Sequence, residues 1–294
     1  MPASSANLGP GFDTMALALG LYLTCTMRKS KGGLKIWASG TDSAGIPCDS
    51  SNLVFRAFCR LAGEENWENL ELEIENEIPL GRGLGSSAAA IVAGLALGNE
   101  WAGLQRSKEQ LIQAATEMEG HPDNVAAAAR GGLVVSCQAQ DGSVISVDSY
   151  FHGGLQVVVV VPAFQLSTEA ARAALPGQYS RRDAVFNLQR VALLLSALRD
   201  GRPELMAEAL QDRLHQPYRA SLVPGFDEIL HLSNIPGLLG LALSGAGPSV
   251  IAFCNGRAQE IGEIIAGCFR KHSVEAQPRT LPVDRQGLIV ERLQ

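Results

Sequence analysis

The sequence lacks several patterns that would assign it to a familiar class of protein. Its six cysteines are too far apart for a C-x-x-C pair, so neither a zinc site nor a redox motif is predicted. No apolar run, including the one at 155–162, is long enough to span a bilayer. No charged segment followed by an apolar one marks the N-terminus as a signal peptide. We therefore expect a cytoplasmic protein with free, mostly buried thiols and no membrane partner.

An excess of positive charge is also missing. The 294 residues carry a formal net charge of −6, which argues against a broad nucleic-acid or polybasic membrane surface. An anionic ligand is still compatible with this balance, because backbone amides and a metal ion can hold phosphate without a basic protein. Hydrophobic residues make up 46% of the chain, enough for a sizeable core in one large domain or two of ordinary size.

Strands and helices are predicted without strict βα alternation, which favours an α+β fold over a doubly wound parallel sheet. Strands at 21–29 and 34–39 flank two glycines and are expected to pair as a hairpin. The loop at 149–154 is the expected boundary between domains 1–150 and 151–294. Further strands are predicted at 70–75, 133–138, 144–147, 155–161, within 240–254, and at 274–277, and helices at 52–62, 88–97, 107–120, 168–174, 183–199, 203–214 and 258–272.

A glycine-rich turn is the most informative motif. The stretch PLGRGLGSSAAA at 79–90 follows a predicted strand and opens a predicted helix. Its three alternating glycines let the backbone approach a bulky anion, and the N–H groups at the helix start then point at that anion. Ser86 and Ser87 add hydroxyls that suit phosphate or Mg²⁺. The turn lacks the lysine of a Walker A loop and the third glycine of the dinucleotide fingerprint, so neither of those motifs is present. An ordinary glycine-rich turn with a serine N-cap is the alternative interpretation.

Two more segments combine polar residues with turn residues. SSANLGPGFD at 4–13 is expected to form a fixed loop in which Asn7 and Asp13 bind a substrate ammonium, or else a plain turn with Asp13 as a cap. SGAGPS at 244–249, between two apolar strands, is either a tight hairpin or a wall that lets backbone approach a ligand.

A third segment, EMEGHPDN at 117–124, places two carboxylates, an imidazole and an amide at a helix end. We expect Glu119 to hold Mg²⁺ beside the phosphates and Asp123 to orient the acceptor hydroxyl or its amine. The alternative is a solvated helix end followed by an X-Pro turn and an aspartate cap.

Together and in this order, the four motifs resemble those of the GHMP kinase superfamily over nearly the whole chain. The form of residues 119–124 is similar to that in members that phosphorylate homoserine. The resemblance implies transfer of the γ-phosphate of ATP to L-homoserine in threonine biosynthesis, with Mg²⁺ as cofactor, and a homodimer, since relatives often are dimers. Another acceptor, such as mevalonate or shikimate, and a catalytically silent ligand-binding protein stay open as alternatives.

The resemblance also implies a fold and a set of site residues. The fold is an N-terminal domain related to ribosomal protein S5 domain 2 and a ferredoxin-like C-terminal domain, with the substrate between them. In the family a first strand usually precedes the loop at 4–13, so either the start of the chain is mis-assigned or that edge strand is missing here. The implied ATP-binding residues are Asn52, Pro79, Leu80, Gly81, Arg82, Gly83, Leu84, Gly85, Ser86 and Ser87, and the implied Mg²⁺ ligands are Ser87 and Glu119. The implied substrate-binding residues are Asn7, Asp13, His121, Asp123, Thr168, Arg172, Arg219 and Gly245, and the implied catalytic residues are Asp123, Asn124 and Arg172.

Overall fold

The computed structural model describes residues 1–63 and 69–292 and contains two β-sheets with helices packed on them. The strands are β1 (Pro2–Asn7), β2 (Gly11–Lys29), β3 (Gly33–Gly40), β4 (Asn69–Asn76), β5 (Leu133–Gln138), β6 (Val144–Ser149), β7 (Gln156–Pro162), β8 (Leu238–Leu243), β9 (Val250–Cys254) and β10 (Ala276–Leu281). The α-helices are α1 (Leu53–Ala62), α2 (Ser86–Trp101), α3 (Lys108–Glu119), α4 (Asp123–Arg130), α5 (Thr168–Ala173), α6 (Arg181–Asp200), α7 (Met206–Ala209), α8 (Gln216–Arg219), α9 (Phe226–Leu230) and α10 (Ala258–Lys271). In these ranges no helix is long and apolar enough to cross a membrane.

The first sheet has the strand order β3-β4-β2-β5-β6, and β1 pairs with β2. β4 lies between β2 and β3, antiparallel to the first and parallel to the second. The predicted hairpin between 21–29 and 34–39 is therefore wrong. The sequence of β4 alternates apolar and polar residues, so Leu70, Leu72 and Ile74 are buried on one face of the sheet.

The second sheet has the order β10-β7-β9-β8, with every neighbouring pair antiparallel. Its chain order, strand–helices–strand–strand–helix–strand, is that of a ferredoxin-like domain, as predicted. The valines of β7 are buried on both faces. Val157 and Val159 join a core that includes Leu17 and Leu19 of β2, whereas Val158 faces the core beneath α10. The two sheets thus share apolar packing, while the domain boundary near residue 150 stays a prediction.

The segment at 4–13, predicted as a fixed loop, is mostly strand: β1 runs to Asn7 and β2 begins at Gly11. All six residues of β1 are buried. On the edge of β1 that does not pair with β2, the N–H of Ser4 donates to Leu84 O at 3.0 Å. The N–H of Gly245 donates to Ala6 O at 3.0 Å. The edge of β1 beside the glycine-rich turn is therefore covered by backbone from both halves of the chain.

The helix predicted at 203–214 is also wrong, because only a short turn and α7 form there. The carboxylate of Asp212 accepts hydrogen bonds from the N–H groups of residues 214–216. Asn187 Oδ1 accepts the N–H of Arg213 at 2.9 Å. These side-chain oxygens accept the N–H groups that carbonyls of a continuous helix would accept. The helix is therefore interrupted here, and α8 begins at Gln216.

None of the six cysteines, all of which lie in the described ranges, forms a disulfide bond, as predicted, but only Cys254 and Cys268 are buried. The expectation that most thiols are buried is wrong. Burial raises the pKa of the Cys254 thiol to about 12, so this group is un-ionised and unreactive near neutral pH.

Two glycines of α2 set its distance from α1. A Cβ on Gly94 would lie 2.1 Å from Val54 O, and one on Gly98 would lie 2.6 Å from Phe58 O. The backbones of the two helices therefore pack directly against each other, which fixes α2 on the sheet and with it the turn at its N-terminus.

We expect Gly94→Ala to lower the free energy of unfolding by roughly 1–3 kcal/mol, because the added methyl group forces one helix to move. Gly267→Ala in α10 is the matched control. Its Cβ would meet only Arg270 Nη2 at 3.8 Å, and alanine is the better helix former. Urea-unfolding midpoints measure both; equal midpoints would contradict the direct packing of the two helices.

Candidate active site

A cavity of about 230 Å³ lies where the two halves of the chain meet. Every residue predicted to bind substrate or Mg²⁺ lines it, and so does Asn124. The glycine-rich turn contributes Gly81, Gly83, Gly85, Ser86 and Ser87. The predicted nucleotide residues that do not line the cavity are Asn52, Pro79, Leu80, Arg82 and Leu84.

The glycine-rich turn approaches the backbone of the 244–249 segment too closely for a side chain. Gly83 has φ +72°, and a Cβ there would lie 2.2 Å from Ser244 O and 2.8 Å from Gly247 O. Ser244 Oγ donates a hydrogen bond to Gly83 O at 2.7 Å. Only glycine fits this position, because both the backbone conformation and the space exclude a Cβ.

The start of α2 offers donors to an anion. Gly85 is its N-cap, with φ +69°, and no side chain caps this end. Within the described residues, the N–H groups of Gly85, Ser86 and Ser87 have no acceptor in the protein. The sixteen residues of α2 add a dipole whose positive end lies here. The arrangement is a phosphate site built from backbone.

Two predicted nucleotide residues use their side chains inside the protein. Arg82 Nε donates to Pro162 O at 3.1 Å, and its Nη1 binds the carboxylate of Asp42. Asn52 caps α1 by accepting the N–H of Phe55 at 3.2 Å. These side chains hold the loops in place, and their assignment to ATP stays a prediction.

Ser87 and Glu119 meet at the rim of the cavity, where Ser87 Oγ donates to Glu119 Oε1 at 2.5 Å. Glu119 is the last residue of α3, which Gly120 ends in a left-handed conformation. A hydroxyl and a carboxylate are the hard oxygen donors that Mg²⁺ prefers, so the pair fits this ion beside the phosphate site.

A cluster of titratable groups forms part of the cavity lining. Ligand atoms of Asp13, His121 and Asp123 lie within 4.8 Å of one another. His121 Nδ1 is 2.6 Å from Asp123 Oδ1. Burial alone would lower the pKa of His121, but the hydrogen bond to Asp123 and the charge of that carboxylate outweigh it and raise the pKa. Two carboxylates in a small, half-buried space suit an ammonium group.

Two arginines also line the cavity. Arg172 binds Asp13 through both of its terminal nitrogens, at 2.7 and 3.0 Å, and this hydrogen bonding raises the pKa of Arg172. Arg219 is 2% exposed. Burial and the charge of Arg172 lower the pKa of Arg219 to about 10. Arg219 bonds only to Ala171 O, Gly245 O and His215, and no described carboxylate pairs with it. A buried cation without an anionic partner is costly, so an anionic group of a ligand would stabilise it.

The remaining predicted residues connect these groups. Asn7 Nδ2 donates to Gly245 O at 2.8 Å, and Asn7 Oδ1 accepts the N–H of Asp13 at 3.1 Å. Asn124 Nδ2 donates to Ser4 Oγ at 2.8 Å. Thr168 is the first residue of α5, beside the cavity.

Residues that the sequence analysis missed lie behind the predicted ones. Phe12 lies against both guanidinium groups, with its ring centre 5.6 Å from Arg172 Cζ and 5.4 Å from Arg219 Cζ. Ser4 holds Asn124, as described above. Both were within the 4–13 motif, but nothing in the sequence distinguished them from neighbouring turn residues.

Gly83→Ala is expected to abolish measurable nucleotide binding, because the added Cβ would displace either the turn or the 244–249 segment. Gly142→Ala is the matched control, with a similar positive φ of +83° and no atom within 4 Å of its Cβ. Calorimetric titration with ATP measures both variants. Wild-type affinity in Gly83→Ala would contradict the close approach of the two segments.

Comparison with known proteins agrees with this geometry. The family model for the GHMP kinases N terminal domain matches residues 52–132, and that for GHMP kinases C terminal matches residues 194–271. The chain is 44% identical over 294 residues to a homoserine kinase of Solibacter usitatus, covering 99% of this chain and 96% of that relative. The chain belongs to the GHMP kinase family. A homoserine kinase of Desulfitobacterium hafniense is likewise 44% identical, over 99% of this chain and 98% of its own length.

Solved structures of two other kinases superpose on nearly the whole chain. A homoserine kinase from Cytophaga hutchinsonii has a TM-score of 0.85 and 30% identity, covering 97% of this chain and 94% of that one. The mevalonate kinase of L. major, solved with R-mevalonate, has a TM-score of 0.70 at 17% identity over 98% and 95% of the two chains, and shares the fold. The predicted two-domain α+β GHMP kinase fold is confirmed.

Proposed function

We propose that this GHMP kinase transfers the γ-phosphate of ATP to the hydroxyl of L-homoserine. The observation that carries the proposal is that charges of both signs line one small cavity. Arg219 is a buried cation with no carboxylate partner among the described residues, and Asp13 and Asp123 line the same cavity. A zwitterionic amino acid suits both kinds of group, since guanidinium binds a carboxylate and the aspartates bind an ammonium. Relatives 44% identical to this chain carry the name homoserine kinase.

The other acceptors considered above match only the arginines. Mevalonate and shikimate have a carboxylate and hydroxyls but no amine. Either one would pair with Arg219 and supply no ammonium group to Asp13 and Asp123, which line the same cavity. The two aspartates therefore favour an amino-acid acceptor.

The nucleotide phosphates are proposed to lie on the turn between Gly83 and Ser87. Their oxygens would accept the free N–H groups at the start of α2, with the helix dipole adding attraction. Ser87 and Glu119 would hold Mg²⁺, which neutralises phosphate charge when bound. Phosphoryl transfer depends mainly on placement and charge neutralisation, and both are supplied here by atoms fixed by packing.

The proposed catalytic residues are Asp123, Asn124 and Arg172. Asp123 lies beside the acceptor position, where it can orient the amine or the hydroxyl. Asn124 Nδ2 would be 3.0 Å from a Cβ on Gly85, so its amide lies against the phosphate turn. Arg172 lines the same cavity and would add positive charge beside the reacting groups, and Asp13 holds its guanidinium in place. Fixing the hydroxyl in line with the γ-phosphorus can lower the barrier by several kcal/mol, up to about 7–11.

Release of ADP by the purified protein with Mg-ATP tests this function. We expect release to depend on L-homoserine and to stay at background with mevalonate or shikimate. Release with mevalonate or shikimate instead would move the assignment to another acceptor. ATP binding without release on any acceptor would favour the ligand-binding alternative.

Glu119→Gln is expected to lower turnover by about 100-fold or more, because it removes the negative charge from the proposed Mg²⁺ site. Glu117→Gln is the matched control, since Glu117 is exposed on the same helix, where it pairs with Arg60 at 3.5 Å. Both variants should unfold at the wild-type temperature. Wild-type turnover in Glu119→Gln would contradict the assignment of Glu119 as a Mg²⁺ ligand.

A further inference from the structure

Directly behind Arg219 lies His215, a histidine that is fully buried and does not line the cavity. Its Nε2 is 2.7 Å from Gly9 O. A carbonyl oxygen only accepts hydrogen bonds, so the proton of a neutral ring must be on Nε2. Nδ1 is then an acceptor, and Arg219 Nη1 donates to it at 3.2 Å. The hydrogen-bond partners thus select one tautomer.

Three acceptors hold the guanidinium group of Arg219. Nε donates to Ala171 O and Nη1 to Gly245 O, each at 3.1 Å, and Nη1 also donates to His215. Of these acceptors, only His215 is a side chain. In the described residues no acceptor is found for Nη2, although Arg219 lines the cavity. The edge of the guanidinium that carries Nη2 is therefore left for a ligand.

The ring of His215 is itself held from two sides. Phe12 stacks on it, with ring centres 5.3 Å apart. Asp212, whose side chain is fully buried, accepts the N–H of His215 at 3.0 Å and lies 3.4 Å from its Nε2. Asn187 donates to both Asp212 and Pro10 O, at 2.8 and 3.2 Å. One buried network thus joins the turn after β1 to Arg219.

The charge state of His215 follows from these surroundings. Burial lowers the pKa of His215, and the charge of Arg219 lowers it further, whereas Asp212 and Asp13 act in the opposite direction. The net pKa is lowered, so the ring is neutral at pH 7 and keeps its free acceptor at Nδ1.

We propose that His215 is a positioning residue for the acceptor carboxylate: its Nδ1 orients Arg219 so that the free guanidinium edge faces the substrate. The proposal rests on the proposed function, because it concerns how an amino-acid acceptor is recognised. His215 touches neither substrate, and it acts through Arg219. Affinity for the acceptor, and not for ATP, is the quantity that it controls.

Two substitutions separate orientation of Arg219 from packing. His215→Phe keeps a ring to stack on Phe12 but offers no acceptor. His215→Asn places its Oδ1 near the position of Nδ1 and keeps the acceptor. We expect KM for L-homoserine to rise roughly 10- to 100-fold in His215→Phe, the size of a lost hydrogen bond to a charged group, and to stay within about threefold in His215→Asn. KM for ATP should not change in either variant.

An acceptor without a carboxylate provides the decisive comparison. 3-Aminopropan-1-ol is homoserine without its carboxylate, so it cannot use Arg219. We expect kcat/KM for this alcohol to be equal, within about threefold, in the wild type and His215→Phe. A loss of the same size for both acceptors and for ATP would mean a structural role only and would overturn the proposal.

Two measurements distinguish an error in the proposed function from an error in the proposal about His215. If the wild type does not phosphorylate L-homoserine, the proposed function fails. The tautomer is measured without activity, from the imidazole ¹⁵N NMR signals of the wild-type protein at pH 7.5, with His215 assigned by elimination among the five histidines. A proton on Nε2 and a free Nδ1 are expected. A proton on Nδ1, in either the neutral or the charged ring, would overturn the proposal even if the variants do not fold.

Discussion

Three stretches of backbone meet at the floor of the cavity with almost no side chain between them. The N–H of Ser4 in β1 bonds to the carbonyl of Leu84 in the glycine-rich turn, and the N–H of Gly245 bonds to the carbonyl of Ala6. Gly83 lies against the carbonyl of Ser244. These contacts join both halves of the chain at one place and leave the N–H groups at the start of α2 free to face the cavity. The phosphate site depends on this close contact, because any side chain here would separate the segments.

The charged groups around the cavity are not all paired with each other among the described residues, so a charged ligand can pair with the remaining one. Asp13 connects the basic and the acidic groups, because it binds Arg172 and lies beside Asp123. Arg219 has backbone and imidazole acceptors but no acid among the described residues. Leaving one buried cation without its counter-ion lowers the stability of the free protein and favours a substrate that supplies the missing charge. The unpaired charge of Arg219 thus supports the proposed selection of an acceptor that carries a carboxylate.

Two local features follow from the sequence because the residues that form them are contiguous in the chain. The turn before α2 follows directly from its glycines and serines. The helix predicted at 107–120 is α3, and Ser107 and Gln110 form both hydrogen bonds of a capping box at its start. The predictions that were wrong concern elements whose structure depends on residues far away in the sequence. β4 enters between β2 and β3 from a later part of the chain, and Asn187 and Asp212 end a helix that residues 203–214 alone would extend. The pairing of Arg172 with Asp13 across 159 positions is equally invisible to local patterns.

We propose above that phosphate moves from ATP to a carbon-bound hydroxyl held by the acidic and the basic residues that line the cavity. The most direct measurement is the ³¹P NMR spectrum of the protein mixed with Mg-ATP and L-homoserine. The account predicts that the γ-phosphate signal is replaced by a phosphomonoester signal split by the two protons of the adjacent CH₂ group, with ADP formed in equal amount. Inorganic phosphate in its place would mean that water is the acceptor and would contradict the account.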